Sequence, residues 1–254
     1  MIHTAMLHWA LILAADPPGF AEPRGLQVHC MHQLVGACTA ELPATLRRMR
    51  LLRNPNTDPL DVCEWHGVQC TVNGLICSIR WRIASKEHGD LHWIPSTTQN
   101  VDFLNTRLHR EALCTRKLPR ALRFCALVRC GLHGNVDLRT LPMNLQRLDL
   151  SFNAFTGAIH LTALPLNMQR INFRNNKITK VVVCNNRLPP GLTGAYFHQT
   201  KRKVRFRCLD ADMIDHRVKR DIFRPEDDAA DWGLEEPIVE SYGYLTSENS
   251  CRCQ

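Results

Sequence analysis

Apolar positions in the 254-residue chain fall into a long-period pattern. Leu118-Pro119, Leu141-Pro142, Leu164-Pro165 and Leu188-Pro189 recur at spacings of 23, 23 and 24 residues, with Ile94-Pro95 another 24 upstream. Three residues after each proline an apolar or small residue opens a strand-like segment. Stacked, the segments are TQNVDFLNTRLHR (98–110), LRFCALVRCGLHG (122–134), LQRLDLSFNAFTG (145–157), MQRINFRNNKIT (168–179) and LTGAYFHQTKRKV (192–204). Their shared pattern is L-x-x-L-x-L-x-x-N-x-L. Within 145–150, Leu148 and Leu150 alternate with Arg147 and Asp149, the period-two signature of a short strand with one buried side. Asn153 and Asn176 carry an amide that can serve a turn backbone as donor and acceptor. Phe155 and Ile178 return to the core, Gly157 permits a bend toward Ile159-His160-Leu161-x-x-Leu164, and proline ends that stretch. A unit of about 23 residues cannot bury its apolar edge alone, so neighbours must stack into a curved solenoid.

This repeat resembles the leucine-rich repeat family, and the F-x-G-x-I-x-L continuation is similar to its plant-type subclass. The resemblance covers residues 93–208. It implies an α/β fold, a short right-handed curved solenoid with a parallel concave β-sheet and a helical, capped N-terminal region. Thr106, Cys130 and Thr200 stand where the repeat has its asparagine, so the outer repeats are expected to be less regular. Upstream, Cys63-Glu64-Trp65-His66-Gly67-Val68-Gln69-Cys70 reads C-x-W-x-G-V-x-C and resembles the N-terminal cap of plant-type members. In that reading Trp65 and Val68 cover the first repeat's open face. Cys63 and Cys70 would be disulfide-bonded in a secreted protein and buried thiols in a reducing compartment. The wording L-P-x-N-L-Q-R-L-D-L also resembles leucine-rich repeat proteins of kinetoplastid protists. The implied organisation is a signal-like apolar segment (1–19), an N-terminal region with the cap motif (20–92), five repeats (93–208) and a C-terminal cap with an acidic tail (209–254).

Compartment is less well marked. Ala5 to Ala15 is an apolar run of signal-peptide length followed by Asp16-Pro17-Pro18, but no Lys or Arg precedes it. No Asn-x-Ser/Thr sequon follows elsewhere, which tips the balance toward a cytoplasmic over a secreted chain. No apolar run reaches the length of a membrane-spanning helix. The other cysteines divide by position. Cys77, Cys125 and Cys130 fall at core or ladder positions, Cys30 and Cys38 are candidates for a second pair, and Cys251-x-Cys253 lacks a second pair at zinc spacing.

The 32 Lys and Arg against 24 Asp and Glu give a net charge of +8, unevenly distributed. Residues 209–254 hold twelve acids and five bases, leaving 27 bases and twelve acids in 1–208. A basic body suits nucleic acid, acidic lipid or an acidic partner, or is neutralised by its own tail. The sequence 201–207, Lys-Arg-Lys-Val-Arg-Phe-Arg, is expected to be a final strand with a basic edge. That edge serves either to discourage sheet aggregation or to bind a polyanion such as RNA, with Phe206 or Tyr196 stacking a base.

Catalytic signatures are absent: there is no H-E-x-x-H, G-x-S-x-G, P-loop or G-x-G-x-x-G. Asp210, Asp212, Asp215 and His216 cluster after the last repeat, as a solvated segment or a weak cation site. No cofactor, metal or catalytic residue is expected. Binding is expected on the concave face, where outward strand positions form rows. These run Asn100, Phe124, Arg147, Arg170, Gly194; then Asp102, Ala126, Asp149, Asn172, Tyr196; then Leu104, Val128, Ser151, Arg174, His198. The candidate binding residues are Arg147, Asp149, Ser151, Arg170, Asn172, Arg174, Tyr196 and His198. The arginines would grip carboxylates or phosphates, unless Arg147 simply pairs with Asp149. The expected function is recognition of a protein partner without catalysis, with nucleic-acid or ribonucleoprotein association as the alternative.

Overall fold

The computed structural model describes residues 24–36, 41–54, 56–82, 89–106, 108, 112–200 and 203–219. The apolar run at 5–15, Cys38, Lys201, Arg202, the acidic stretches beyond 219, and Cys251 and Cys253 lie outside these residues.

The architecture is an α/β solenoid of leucine-rich repeat type. Two helices come first, α1 (Arg24–Leu34) and α2 (Leu42–Arg48). An antiparallel hairpin follows, β1 (Val68–Cys70) and β2 (Ile76–Trp81). The main sheet then grows by one parallel strand per turn: β3 (Asn100–Leu104), β4 (Phe124–Val128), β6 (Arg147–Asp149), β8 (Arg170–Asn172), β10 (Gly194–Tyr196) and β12 (Val218–Lys219). Between them β5 (His133–Gly134), β7 (Ala154–Leu161), β9 (Lys177–Val183) and β11 (Arg205–Cys208) form a second parallel sheet in the order β11-β9-β7-β5. The segment 201–207 does contribute a strand, but to this smaller sheet. The last strand of the main sheet is β12, which lies beyond the expected repeats.

The Leu-Pro period has a local cause. Short 3-10 turns at Leu91–Trp93, Thr115–Lys117, Leu138–Thr140 and Asn185–Arg187 each stop at the residue before a proline. Proline excludes helical geometry from its predecessor, and Ile94, Leu118, Leu141 and Leu188 accordingly have ψ of 125°, 143°, 150° and 135°. The proline carbonyl then accepts the N–H three residues on, at Thr98, Leu122, Leu145, Met168 and Leu192. Each such turn delivers the chain into the next strand of the main sheet.

Two side-chain columns hold the turns together. Inward positions of the main sheet stack in register, Trp81 on Phe103 (5.2 Å between centroids) and, further along, Phe173 on Phe197 (5.8 Å). All but Trp81 are fully buried, and replacing any of these phenylalanines by alanine should cost about 3–5 kcal/mol. Beside them runs a polar ladder. Asn153 Nδ2 donates to Leu127 O (2.7 Å), Leu150 O (3.0 Å) and Ser151 O (3.1 Å), while its Oδ1 accepts from Cys130 N and Leu132 N. Asn176 repeats this one turn later, donating to Leu150 O, Phe173 O and Arg174 O and accepting from Phe155 N.

Where the asparagine is replaced, the donor to the preceding turn is kept. Cys130 Sγ donates to Phe103 O (3.3 Å) and Thr106 Oγ1 to Trp81 O (3.4 Å), each again reaching one turn back. Burial pushes the Cys130 thiol up to about 12, so it stays a donor. At the last turn the ladder changes: Gln199 is the buried residue and donates to Ile178 O of β9 instead of a main-sheet carbonyl, while Thr200 is exposed and bonds Asn175 Oδ1. The residue before each ladder position, Asn105, Arg129, Phe152 and Asn175, has φ between 52° and 57°. Its N–H points forward instead, to Val128 O, Ser151 O, Arg174 O and His198 O. Gly157 has φ +79° at a bulge between β7 and β9, which supplies the expected bend.

At the N-terminal end stand the C-x-W-x-G-V-x-C segment and α1. Cys63 and Cys70 are disulfide-bonded, and Trp65 and Val68 are buried. His32 of α1 stacks on Trp65, and Gln27 Oε1 accepts from Ile76 N (2.6 Å) while its Nε2 donates to Gly74 O, satisfying backbone that no further strand pairs. Cys77 and Cys125 are buried, as their strand positions predict.

Asn153→Ala strands two backbone N–H groups and takes a donor from three carbonyls, and should lower stability by about 3 kcal/mol, against about 1 kcal/mol for Thr106→Ala. Urea unfolding midpoints of the two variants measure the difference. Equal losses would mean that the amide acceptor contributes nothing beyond the donor.

Candidate binding face

Strand register brings the predicted residues into three rows. Asn100, Phe124, Arg147, Arg170 and Gly194 pair in succession, as do Asp102, Ala126, Asp149, Asn172 and Tyr196. The third row continues through the forward hydrogen bonds that link Arg129 to Ser151, Phe152 to Arg174 and Asn175 to His198. Two of the rows are longer than the repeats alone. Ser78 precedes Asn100, Arg80 precedes Asp102, and Lys219 follows Tyr196. Arg80 and Lys219 were not among the predicted residues, because the strands that carry them lie outside the repeat pattern; Arg80 pairs with Asp102 at 3.7 Å.

The eight candidate residues separate into a buried layer and a partly exposed one. Asp149, Ser151 and Asn172 are buried, Asn172 completely. They bond to one another: Ser151 N donates to Asp149 Oδ1 (2.8 Å), Asn172 Nδ2 to Asp149 Oδ2 (3.0 Å), and Arg174 N to Asn172 Oδ1 (3.0 Å). These three can support a partner's contacts but present almost no surface to one. Arg147, Arg170, Arg174, Tyr196 and His198 are half-buried and form the accessible layer.

Arg147 does not pair with Asp149. Its guanidinium carbon lies 5.5 Å from the Phe124 ring centroid, and its Nε is buried with no hydrogen-bond partner. Arg170 Nε donates to Thr193 Oγ1 (3.2 Å). The Tyr196 ring folds back over Gly194, where a Cβ would lie 2.6 Å from the phenolic oxygen, so this tyrosine needs a glycine two residues before it. On the N-terminal side Leu104, Phe124, Ala126 and Val128 make the face apolar.

Burial raises the Asp149 carboxyl above the usual carboxylate range, against opposing hydrogen bonds from Ser151 and Asn172 and the charge of Arg174. Elsewhere the acids after the last repeat have structural work. Asp210 accepts from Asn185 N (2.9 Å) and Asn186 N (2.8 Å), and Asp215 pairs bidentately with Arg217, which holds it down at about 2. Among the described residues no group of three or more His, Cys, Asp or Glu could hold a metal, and no helix is long and apolar enough to cross a membrane.

The fold and face together define the class, a leucine-rich-repeat-type solenoid. Among solved structures the chain is similar to the BIR2 ectodomain from Arabidopsis thaliana, with 18% identity, covering 70% of this chain and 96% of that one at a TM-score of 0.46. It is also similar to a plant ice-binding protein, with 18% identity, 69% of this chain and 56% of that one at a TM-score of 0.51. The latter likeness is one of fold alone. No protein-family model and no curated protein matches the chain.

A group whose folded pKa is raised contributes stability that is present below its unfolded value and lost as pH rises through the folded value. Wild type should therefore lose stability relative to Asp149→Asn as pH rises from 3.8 toward neutrality. Paired urea titrations across that range test this, and parallel pH profiles would refute it.

Proposed function

We propose that the protein is a non-catalytic binding module that recognises a protein partner through the concave face of its main sheet. The carrying observation is the accessible layer over β6, β8 and β10. Arg147, Arg170 and Arg174 share this face with Tyr196 and His198, and the Arg174 N–H bonds the buried Asp149–Asn172–Ser151 network that lies in the same rows. Arginine and tyrosine are the residue types that most often dominate interface energetics, because each combines a large contact surface with few rotatable states or a fixed hydrogen-bonding fork. The apolar strip from Leu104 to Val128 adjoins them, giving the mixed character of protein interfaces.

The charge balance narrows the partner. Three arginines and Lys219 face the solvent side, Asp149 beneath them is buried, and Asp102 is already paired with Arg80. A complementary partner brings carboxylates to the arginines and an apolar side chain to the Phe124 end. The cap motif and repeat wording support the same reading, since a capped solenoid leaves its extended sheet as the surface shaped for contact. Asp149, Ser151 and Asn172 act here as positioning residues.

Affinity capture with the full chain tests the proposal. Arg170→Glu and Tyr196→Ala should each weaken binding of the recovered partner at least tenfold, the scale of a hot-spot truncation of about 1.4 kcal/mol or more. His133→Ala, on the other sheet, should leave it unchanged. Loss of neither interaction would remove the concave face from the function.

A further inference from the structure

The second sheet ends on an open edge whose chemistry is one-sided. His160, Thr162, Lys180, Arg187, Arg207 and Leu209 line a groove on its outer surface, with Arg205 of β11 beside Lys180 and Lys203 just before that strand. Strand pairing sets Arg205 beside Lys180 and Arg207 beside Val182, and Val182 in turn pairs with His160. None of these five cations has a side-chain hydrogen bond or an ion pair among the described residues. Asp210, the acid at the rim, is spent on Asn185 N and Asn186 N. Five unpaired bases on one small sheet repel one another and call for an anion.

The spacing of the chain offers one. In three successive turns a strand of the second sheet starts five residues after the main-sheet strand ends: Val128 to His133, Asp149 to Ala154, Asn172 to Lys177. In the next turn the interval is nine, Tyr196 to Arg205. Applied to β12, which ends at Lys219, the same intervals point to residues 224–228, on the open side of β11. Those residues are Arg224-Pro225-Glu226-Asp227-Asp228, and from 226 to 240 the chain carries seven acids and no Lys or Arg. Seven residues from Lys219 to Glu226 span up to about 24 Å, ample to pass from one sheet face to the other when packed layers lie about 10 Å apart.

We infer that the basic outer edge of the second sheet, Lys180, Lys203, Arg205 and Arg207, is the docking site of the chain's own acidic segment 226–231. The contact closes the C-terminal end of the solenoid as the cap closes the N-terminal end. It also withholds this surface from external polyanions, so the +8 chain is not an open polyanion binder on this side. The inference uses a different sheet from the concave face and stands or falls independently of it.

Hydrogen–deuterium exchange of the full chain, read by mass spectrometry at low salt, tests the contact. Residues 224–231 should exchange at least about tenfold slower than the unstructured rate, and the protection should fade as salt shortens the screening length. Arg205→Glu with Arg207→Glu should abolish it, and adding Glu226→Arg with Asp228→Arg should restore it. The triple change Glu226→Gln, Asp227→Asn, Asp228→Asn should also abolish it, and this variant leaves every described residue intact. Exchange at the unstructured rate in wild type, or no rescue in the charge-swapped chain, overturns the proposal. So does protection of 203–208 that appears only when a single-stranded oligonucleotide is added, which assigns the surface to an external polyanion. Protection that grows with protein concentration assigns it to a second copy and overturns it equally.

Discussion

The structure depends on a hydrogen bond that each turn makes to the turn before it. Thr106, Cys130, Asn153 and Asn176 all send a side-chain donor to the backbone carbonyl of the preceding main-sheet strand, at Trp81, Phe103, Leu127 and Leu150. The residue just before each of them sends its own N–H to the turn after. A corner of the solenoid is thus bonded in both directions, and the left-handed backbone of Asn105, Arg129, Phe152 and Asn175 is the cost of turning that N–H outward. Asn153 and Asn176, each both donor and acceptor to the backbone, occupy the middle of the stack. There the buried polar network and the arginine cluster also sit. A face meant to hold side chains in fixed positions belongs on the turns that are bonded most completely.

Much of this was legible in the chain. A proline that forbids helix to its predecessor leaves a visible period, and the alternation of Leu148 and Leu150 with Arg147 and Asp149 assigned sides to the strands before any coordinates. The three rows followed from that period and from parallel pairing alone. What the pattern did not carry was depth. Asp149, Asn172 and Ser151 occupy outward positions, yet neighbouring long side chains cover them, and period two records only the side of a sheet. Arg147 illustrates the same limit: its sequence neighbour Asp149 suggested an ion pair, whereas Phe124 one turn back offered an aromatic face. Gln199, one residue before the expected Thr200, is the buried amide of the last turn, and it bonds Ile178 O of β9 instead of a main-sheet carbonyl. β12 lies past the last recognisable repeat, and two strand residues are too few to register as a pattern.

The two ends of the solenoid meet the same physical problem, an apolar face and unpaired backbone with no neighbour. At the N-terminal end the answer lies within the described residues. Gln27 serves the backbone of Ile76 and Gly74, Trp65 and Val68 fill the apolar side, and His32 stacks on the indole with its Nε2 buried and unpaired. Burial lowers the His32 pKa, so the imidazole stays neutral there and packs as an aromatic ring. At the C-terminal end β12 extends the main sheet while Arg217, held by Asp215, bonds Pro189 O. On the smaller sheet the exposed residues of β11 are both basic, Arg205 and Arg207.

This asymmetry explains how one chain can hold two positively charged surfaces without their being equivalent. On the main sheet each arginine has a neighbour that orients it: the Phe124 ring by Arg147, the Thr193 hydroxyl beside Arg170, and the buried Asn172 that accepts the Arg174 N–H. Their orientation is settled before anything binds, which lowers the ordering cost of association and favours a partner with carboxylates in matching positions. On β11 the bases project from a strand edge with no buried support, and long unsupported side chains offer charge without geometry. A surface of that kind attracts any polyanion and selects none, so a specific binding protein gains by covering it. The ordered arginines are therefore the ones suited to recognition, and the unordered ones are those that a tethered acidic segment, present at high effective concentration, is best placed to neutralise.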